Sequence, residues 1–512
     1  MTRTTAVQKL ARISAKAINY GHLFRAFLSG LLLPLSFAPF HFPGTAILGL
    51  ALFYAQICRG RSRHALLNGL FFGLGYFGLG TSWVYVSIHE YGHLNNLLSA
   101  LITLFFLLYL SLYPALMAYI FRKLSTARYA FISCLLFSAL WTLFEYFRAT
   151  ILSGFPWLLL GFGQFDAPSK YLLPVIGVLG VGFITCLAAT LLSTSIQQKG
   201  TKRFIFLASF VLLLLSPSLL KQKVWAQEDP KPISVGVIQA NLSMRDKWDE
   251  NLFWQLLERY KQDAESLLGT KVIVMPESAI PLPPSYVVDF LNEMHIKAKR
   301  AGSAIMLGIP QPTTVDENYY YNSLISLGKA QGSYLKQHLV PFGEYIPAFF
   351  QDISAWLTIP DANLMPGKSN QRLVKVQKHK IATLICYELA YGDLLRRQLP
   401  MAEWIVSISD DGWFGHSLAM YQQLQMAQVR SLETARYQVV ANNDGLSSVI
   451  NTRGEITALL PAFTSGILKA QLFSATGMTP WVYYGNLPIL LICALIVLFY
   501  TGFRIVRQKV NT

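Results

Sequence analysis

The chain alternates between long apolar runs and short polar connections, and one long polar stretch interrupts this pattern in its second half. A continuous apolar run of about 18 residues or more is typical of a helix that crosses a bilayer. The first two runs are short or interrupted by proline, and we count both as spans. The sequence therefore predicts eight membrane spans, near residues 23–40, 43–58, 66–88, 96–121, 128–146, 170–195, 203–220 and 486–506.

The polar stretch has the pattern of an α/β domain. Short β-rich runs recur along it, and patterns with helical periodicity lie between some of them, at about 250–268, 284–300 and 418–436. The predicted strands are 233–238, 272–275, 304–308, 322–327, 381–385, 404–407 and 438–441. We therefore predict three regions: a seven-span membrane domain at 1–220, an α/β domain at 221–485, and a last span with its tail at 486–512.

The distribution of charge predicts how these regions are oriented. The net charge of +16 arises outside the polar stretch, since residues 221–485 contain 24 basic and 24 acidic residues. The other 19 basic and 3 acidic residues flank the apolar runs, and the basic ones occupy alternate connections. Because basic loops remain in the cytoplasm, both termini are predicted to be cytoplasmic and residues 221–485 to lie on the opposite side, the periplasm of a bacterium. A domain without net charge also argues against a nucleic-acid partner.

Composition supports a membrane protein, because 53% of the residues are hydrophobic and only 14% are charged. The distribution of the five cysteines argues against a disulfide framework. Cys386 alone lies in the polar stretch, whereas Cys58, Cys134, Cys186 and Cys493 lie in or beside apolar runs. Cysteines buried in a membrane are usually small apolar packing residues, so only Cys386 raises a question of chemistry.

Reactive side chains follow predicted strands at three places in the α/β domain. Glu277 follows one strand, Lys336 and Glu344 lie in one loop, and Cys386 comes directly after another strand. Ligands of such sheets bind beyond the carboxyl ends of the strands. Each residue taken singly has an ordinary explanation: a cap for Glu277, a solvated charge for Lys336, a core position for Cys386. Together, a base, a cation and a thiol are the groups that acyl transfer needs.

Three segments carry a resemblance to a known family: Pro-Glu-Ser, Lys-x-His-Leu-Val-Pro-Phe-Gly-Glu and Ile-Cys-Tyr-Glu. In this order they are similar to the Glu, Lys, Cys triad of the nitrilase superfamily. With seven predicted spans before them and one after, the chain resembles the apolipoprotein N-acyltransferase family. The likeness extends to Trp-Val-Tyr-Val-Ser at 83–87, Gly-Phe-Pro-Trp at 154–157, Lys-Trp-Asp-Glu at 247–250 and Trp-Phe-Gly at 413–415.

The resemblance implies an α-β-β-α sandwich in the polar stretch and a role for each triad residue. Glu277 would be the general base, Lys336 would stabilise the oxyanion, Cys386 would be the nucleophile and Glu344 a supporting carboxylate. The positions that match residues near the substrate cleft are Trp248, Tyr387, Glu388 and Trp413.

The chain departs from the family at one position of the site. The family usually has Ser-Asn-Asp before the last of these tryptophans, and this chain has Ser-Asp-Asp with Asp410 in the middle. An ionised carboxylate cannot donate the hydrogen bond that an asparagine amide donates. The role of Asp410 is therefore left open by the sequence.

The implied reaction is a ping-pong acyl transfer in the bacterial inner membrane. The donor is a phospholipid, with phosphatidylethanolamine as the implied headgroup, and the acceptor is the α-amine of a diacylglyceryl-modified apolipoprotein. A cysteine thioester links the two steps. The resemblance implies a monomer that needs no metal and no cofactor.

Three other functions are compatible with parts of the sequence. A membrane-bound amidase would keep the thiol chemistry but pass the acyl group to water. His89, Glu90 and His93 match the H-E-x-x-H pattern of a zinc protease, but Gly92 lies within the motif and the motif falls in a short loop. A transporter without chemistry would explain the spans but not the reactive groups.

Glu145 and Arg148 are ionisable residues inside a predicted span. One interpretation is an i, i+3 ion pair on a helix that lines the route to the active site. The alternative is that Arg148 extends to the membrane surface.

The alternation of basic loops makes a direct prediction about topology. A tag placed within 221–485 should be accessible from the periplasm, and a tag after Arg507 should not. Accessibility of single reporter sites in spheroplasts tests this. The orientation is wrong if Arg61 and residue 300 lie on the same side of the membrane.

Overall fold

The computed structural model describes residues 20–510 apart from 60, 93, 126–129, 248, 250, 314–317 and 348–362. For residues 244–245 and 503–510 it describes the backbone alone.

The main helices fall into two groups. Those near the two ends of the chain form the membrane region, and those between them belong to the α/β domain. The first seven are α1 (Tyr20–Leu31), α2 (Pro43–Ile57), α3 (Ser62–Gly80), α4 (Asn96–Leu124), α5 (Ala130–Thr150), α6 (Leu173–Gln197) and α7 (Gly200–Leu215). The α/β domain contributes α8 (Phe253–Ser266), α9 (Val288–Ala301), α10 (Gly392–Gln398) and α11 (Ala419–Thr434), and α12 (Pro480–Tyr484) and α13 (Leu487–Val510) follow.

The count of eight spans is wrong, although a helix is present in every predicted run. By length and apolar composition, four helices of the described residues can cross a membrane, and they correspond to α4, α5, α6 and α7 with short extensions. Helix α1 has 12 residues and α2 has 15, or about 18 and 22 Å, whereas the apolar layer of a bilayer is about 30 Å thick. Within the part whose side chains are described, α13 is likewise a shorter apolar helix.

Helix α3 misses the criterion for a different reason, because it begins with polar residues and is rich in glycine. Two of these glycines allow it to pack closely on α4. A Cβ at Gly69 would lie 2.5 Å from the carbonyl oxygen of Pro114, and one at Gly73 would lie 2.7 Å from Cα of Ser111. Small residues that let helix backbones meet are typical of contacts within membranes.

The segment between α5 and α6 has irregular backbone, and buried side chains satisfy its polar groups. Arg148 donates to the carbonyls of Phe155 at 2.7 Å and Trp157 at 2.6 Å. Glu145 accepts the N–H of Leu160 at 2.9 Å. Non-helical backbone at membrane depth requires such internal partners.

This arrangement answers the question about Glu145 and Arg148. The hydrogen bonds of both side chains run to the irregular segment, so they hold its backbone instead of forming the expected i, i+3 pair. Arg148 is 2% exposed and does not extend to the surface.

The strands of the α/β domain form two sheets. In chain order the strands are β1 (Ala226–Gln239), β2 (Val272–Val274), β3 (Ala304–Pro312), β4 (Tyr320–Gly328), β5 (Ala330–Gln331), β6 (Ser333–Leu335), β7 (Val374–Val376), β8 (His379–Ile385), β9 (Trp404–Ser409), β10 (Gln438–Asn442), β11 (Ser448–Ile450), β12 (Ile456–Leu459) and β13 (Gly466–Gly477). One sheet has the order β13-β1-β2-β3-β4-β6, and the other β12-β11-β10-β9-β8-β7-β5. All seven predicted strands and all three predicted helices of this domain are present.

Each sheet has parallel strands at its centre, β1, β2 and β3 in one and β8, β9 and β10 in the other. Helices α8 and α9 cover the outer face of the first sheet, where Leu257 and Met294 pack with Ile273 and Ile305. The other face of that sheet joins the core of the second sheet, which contains Val274 and Ile405. The carboxyl ends of both central sets therefore determine where the reactive residues lie.

Helix α11 joins the α/β domain to the membrane region through buried polar side chains. Gln422 accepts from the Trp157 indole at 2.6 Å and donates to the carbonyl of Gly80 at 3.2 Å. Glu433 accepts the N–H of Val178 at 3.1 Å. This N–H follows Gly177, whose φ of +65° interrupts the helical turn of α6. Helix α11 has a polar sequence that is typical of an exposed helix, and it is nevertheless buried between the two regions.

Replacing Arg148 with methionine should destabilise the protein. The change leaves buried carbonyls of the irregular segment without a donor, and we expect a loss of about 3 kcal/mol or more in the free energy of unfolding. Thermal unfolding in detergent measures the effect. Lys202→Met removes an exposed cation and serves as the control. Equal stability of the two variants contradicts the assigned role of Arg148.

Candidate active site

Glu277 follows β2 at the carboxyl end of the first sheet and is 6% exposed. Its Oε1 accepts from the Asn322 amide at 2.6 Å, and its Oε2 accepts the N–H of Asp410 at 3.1 Å. Asn322 belongs to β4 and Asp410 follows β9, so the carboxylate is held by both sheets. These two hydrogen bonds fix the orientation of the Glu277 side chain, although β2 before it has only three residues.

Lys336 comes directly after β6 and is 1% exposed. Its ammonium lies 2.8 Å from Glu344 Oε1 and 3.4 Å from Glu277 Oε1. Asn322 also donates to Glu344 at 3.0 Å, and Glu344 Oε2 accepts the N–H of Val340. The sequence-predicted residues Glu277, Lys336 and Glu344 therefore form one connected cluster.

Cys386 lies at the junction between β8 and a short 3₁₀ turn, Cys386–Ala390. Its φ of +53° is in the left-handed region, which costs a residue with a side chain on the order of 1 kcal/mol. The turn places the thiol near the charged cluster. The charges of Glu277 and Lys336 therefore both influence its pKa. The three predicted catalytic residues thus share one site.

Burial raises the pKa of the Cys386 thiol well above its usual value, and the charge of Glu277 raises it further while Lys336 opposes this. The thiol is therefore protonated at neutral pH and needs a base to react. Burial also disfavours the Lys336 ammonium, but Glu277 and then Glu344 outweigh this and raise its pKa. The cation of the site is thus present over the whole physiological range.

Glu388 lies behind the triad and is fully buried. Its Oε1 accepts the N–H groups of Gln337 at 2.6 Å and His338 at 3.1 Å, and its Oε2 accepts the N–H of Ile385 at 2.8 Å. The carboxylate therefore joins the backbone just after Lys336 to the backbone just before Cys386. Burial raises the pKa of Glu388 to about 7 despite these bonds.

Two of the predicted substrate contacts lie where the α/β domain meets the membrane region. The Tyr387 hydroxyl donates to the carbonyl of Gly154 at 3.2 Å, and its ring stacks near Trp157 with centroids 6.3 Å apart. Trp413 is 40% exposed and packs against Tyr91 with ring centroids 5.0 Å apart. Trp248 lies outside the described residues.

The helical turn Ser87–Tyr91, which contains His89 and Glu90 of the zinc-like motif where the sequence predicted a loop, contacts the same edge of the site. Ser87 donates to the carbonyl of Trp413 at 2.7 Å, and Tyr91 donates to the carbonyl of Gly412 at 2.5 Å. His89 donates through Nδ1 to the carbonyl of Leu94 at 2.9 Å. His93 lies outside the described residues, and within them no group of three His, Cys, Asp or Glu side chains could hold a metal.

Sequence reasoning missed two residues that contact Glu277. Asn322 was predicted only as the start of a strand, and its amide connects Glu277 with Glu344. Lys247 is 1% exposed and donates to the carbonyl of Glu277 at 3.0 Å. The Lys-Trp-Asp-Glu segment was the available signal for Lys247, although the resemblance implied a role only for the neighbouring Trp248.

Two family models match the chain. Residues 234–478 match the carbon-nitrogen hydrolase model, and this range covers most of the α/β domain. Residues 29–191 match the model of the apolipoprotein N-acyltransferase N-terminal domain. The class is thus a carbon-nitrogen hydrolase domain combined with a membrane region.

Full-length relatives identify the family. An apolipoprotein N-acyltransferase of Pseudomonas syringae is 35% identical over 92% of this chain and 94% of its own. That of Methylococcus capsulatus is also 35% identical, over 95% of this chain and 96% of its own. The chain belongs to the apolipoprotein N-acyltransferase family. The match to an amidase of Nesterenkonia sp. covers 50% of this chain and 94% of the amidase at 14% identity, with a TM-score of 0.35.

Proposed function

We propose that this protein is a phospholipid:apolipoprotein N-acyltransferase that works through a thioester on Cys386. The observation that carries the proposal is the cluster of a buried ammonium between two carboxylates beside a buried thiol. The names of the full-length relatives support lipoprotein N-acylation as the activity. The apolar helices that the α/β domain packs against suit an enzyme whose substrates are both anchored in lipid.

In the first step, Glu277 takes the proton of the Cys386 thiol as Sγ attacks an ester carbonyl of the phospholipid, with phosphatidylethanolamine as the proposed donor. The Lys336 ammonium stabilises the oxyanion of the tetrahedral intermediate. The intermediate collapses, the C–O bond breaks, and the departing lysophospholipid oxygen takes the proton from Glu277. The acyl group is then held as a thioester.

In the second step, the α-amine of the diacylglyceryl-cysteine attacks the thioester carbonyl. Glu277 takes the amine proton and returns it to the Cys386 sulfur as the C–S bond breaks. The product is an amide, and the enzyme is regenerated. Because each step moves one proton through one carboxyl group, no cofactor is required.

The surroundings of the triad suggest roles for the other predicted residues. We propose that Glu344 holds the Lys336 ammonium and that Glu388 fixes the spacing between the Lys336 and Cys386 segments. Trp413 and Trp248 are proposed to contact the lipid substrates, and Tyr387 to line the side toward the membrane. The proposed topology has residues 221–485 in the periplasm and both termini in the cytoplasm. It needs an odd number of crossings before residue 221 and one after it, so α13 and one or all three of the helices α1, α2 and α3 would cross together with α4 to α7.

Intact-mass analysis after incubation with phosphatidylethanolamine tests the chemistry directly. We expect one added acyl mass that hydroxylamine removes, because a thioester is cleaved by this reagent. Cys386→Ala should abolish the addition, and Glu277→Gln should slow it severely. Cys186→Ala, which changes a buried cysteine of α6, is the matched control and should acylate normally. Acylation that persists in Cys386→Ala contradicts the proposal.

The same preparation separates transfer from hydrolysis. The thioester should be stable in buffer and should disappear when a diacylglyceryl-modified peptide with a free amine is added. Rapid loss to water without the peptide would identify an amidase-like hydrolase instead.

Replacing Lys336 with methionine should slow thioester formation by about a hundredfold or more, because one stabiliser of the oxyanion is lost. Single-turnover rates of acylation measure the effect, and thermal unfolding shows whether the variant is folded. Lys329→Met, at an exposed lysine of the same region, is the control. A folded Lys336→Met variant with a normal rate rules out this role.

A further inference from the structure

Lys247 and Asp410 form an ion pair that is almost completely removed from solvent. Their side chains are 1% and 3% exposed, and the ammonium contacts Asp410 Oδ2. The same ammonium donates to the carbonyl of Glu277 at 3.0 Å. A single cation therefore bonds both to the backbone of the proposed base and to the residue that distinguishes this site from the usual family pattern.

Asp410 holds the other end of Glu277. Its N–H donates to Glu277 Oε2 at 3.1 Å, and its own Oδ1 accepts from the Gly412 N–H and the Asn443 amide, both at 3.2 Å. The Gly412 bond caps the short turn Asp411–Phe414, which carries Trp413. The backbone carbonyl and the carboxylate of Glu277 are thus both fixed by the Lys247–Asp410 pair.

The charge of Asp410 makes the cation necessary. A buried carboxylate without a partner is strongly unfavourable, and a second one close to Glu277 disfavours the ionised base. Where the family usually has asparagine, this problem does not arise, because an amide is neutral. In this chain Lys247 supplies the compensating charge.

Other titratable groups also face this part of the site. Lys336 lies on the opposite side of Glu277 and bonds to Glu344 as well, and the Cys386 thiol lies beside them. Burial and then Asp444 raise the pKa of Asp411 to about 8, and burial and then Asp410 raise that of Asp444 to about 7. Among these titratable groups, Lys247 provides the cation that contacts Asp410.

We propose that Lys247 is a positioning residue that holds the general base Glu277 in place and balances the charge of Asp410 beside it. This inference rests on the proposed role of Glu277 as base. It assigns a function to a lysine that precedes the predicted substrate contact Trp248 and touches none of the reacting atoms.

The test measures the rate of Cys386 acylation by phosphatidylethanolamine against pH in four full-length proteins. Lys247→Met should slow acylation by on the order of a hundredfold and raise the pH midpoint of the rate by about one unit, because Asp410 is left unpaired next to the base. Asp410→Asn keeps the backbone N–H that donates to Glu277 and has a side-chain oxygen that can accept from Lys247, so it should slow acylation much less than Lys247→Met. The double variant Lys247→Met/Asp410→Asn should recover at least about tenfold of the lost rate and the normal midpoint.

The controls separate positioning from a general effect on folding. Lys271→Met changes an exposed lysine just before β2 and should leave the rate and the midpoint unchanged. If Lys247→Met does not fold, Lys247→Arg keeps the cation and should keep the midpoint, while the double variant should fold. Absence of recovery in the double variant, or an unchanged midpoint in a folded Lys247→Met, overturns the inference. If the wild type forms no thioester, the proposed function itself fails.

Discussion

Burial of charge is the constraint on which the site depends. An ammonium that is 1% exposed is tolerated only because carboxylates on both sides of it balance its charge, and Lys336 has such partners in Glu277 and Glu344. The same partners keep it protonated, because their charges outweigh the effect of burial on its pKa. These three charged residues therefore stabilise one another inside the fold, and replacing one of them leaves the charge of another without its partner.

Much of the α/β domain could be predicted, because its strands are short apolar runs with clear boundaries. Glu277 and Cys386 follow strands that the sequence predicts, whereas β6, the strand before Lys336, is not among the predicted strands. The hydrogen-bond partners could not be found, because Asn322 and Lys247 reach Glu277 from elements far apart in the chain. The pattern of hydropathy and charge alone does not distinguish such a lysine from a solvated one.

The membrane region was harder to predict for a related reason. Hydropathy detects apolar runs but not how they pack, so short and glycine-rich helices were counted as full spans. A hydropathy scale gives Gly69 a value near zero, yet the absence of a side chain at this position is what lets α3 approach α4. Arg148 satisfies buried carbonyls, which is neither the ion pair with Glu145 nor the surface position that the sequence left open.

Arg430 on helix α11 has a consequence for how substrates reach the site. Its guanidinium donates to the carbonyls of Leu389 and Ala390 in the turn that begins with Cys386, and it pairs with Glu433, which holds the N–H of Val178 in α6. The turn that begins with Cys386 is thereby connected to α6 through two buried charged side chains. A lipoprotein substrate that is anchored by its own lipid would then have to bring its amine to a turn at a fixed distance from α6, and its reach from the membrane would decide whether it reacts.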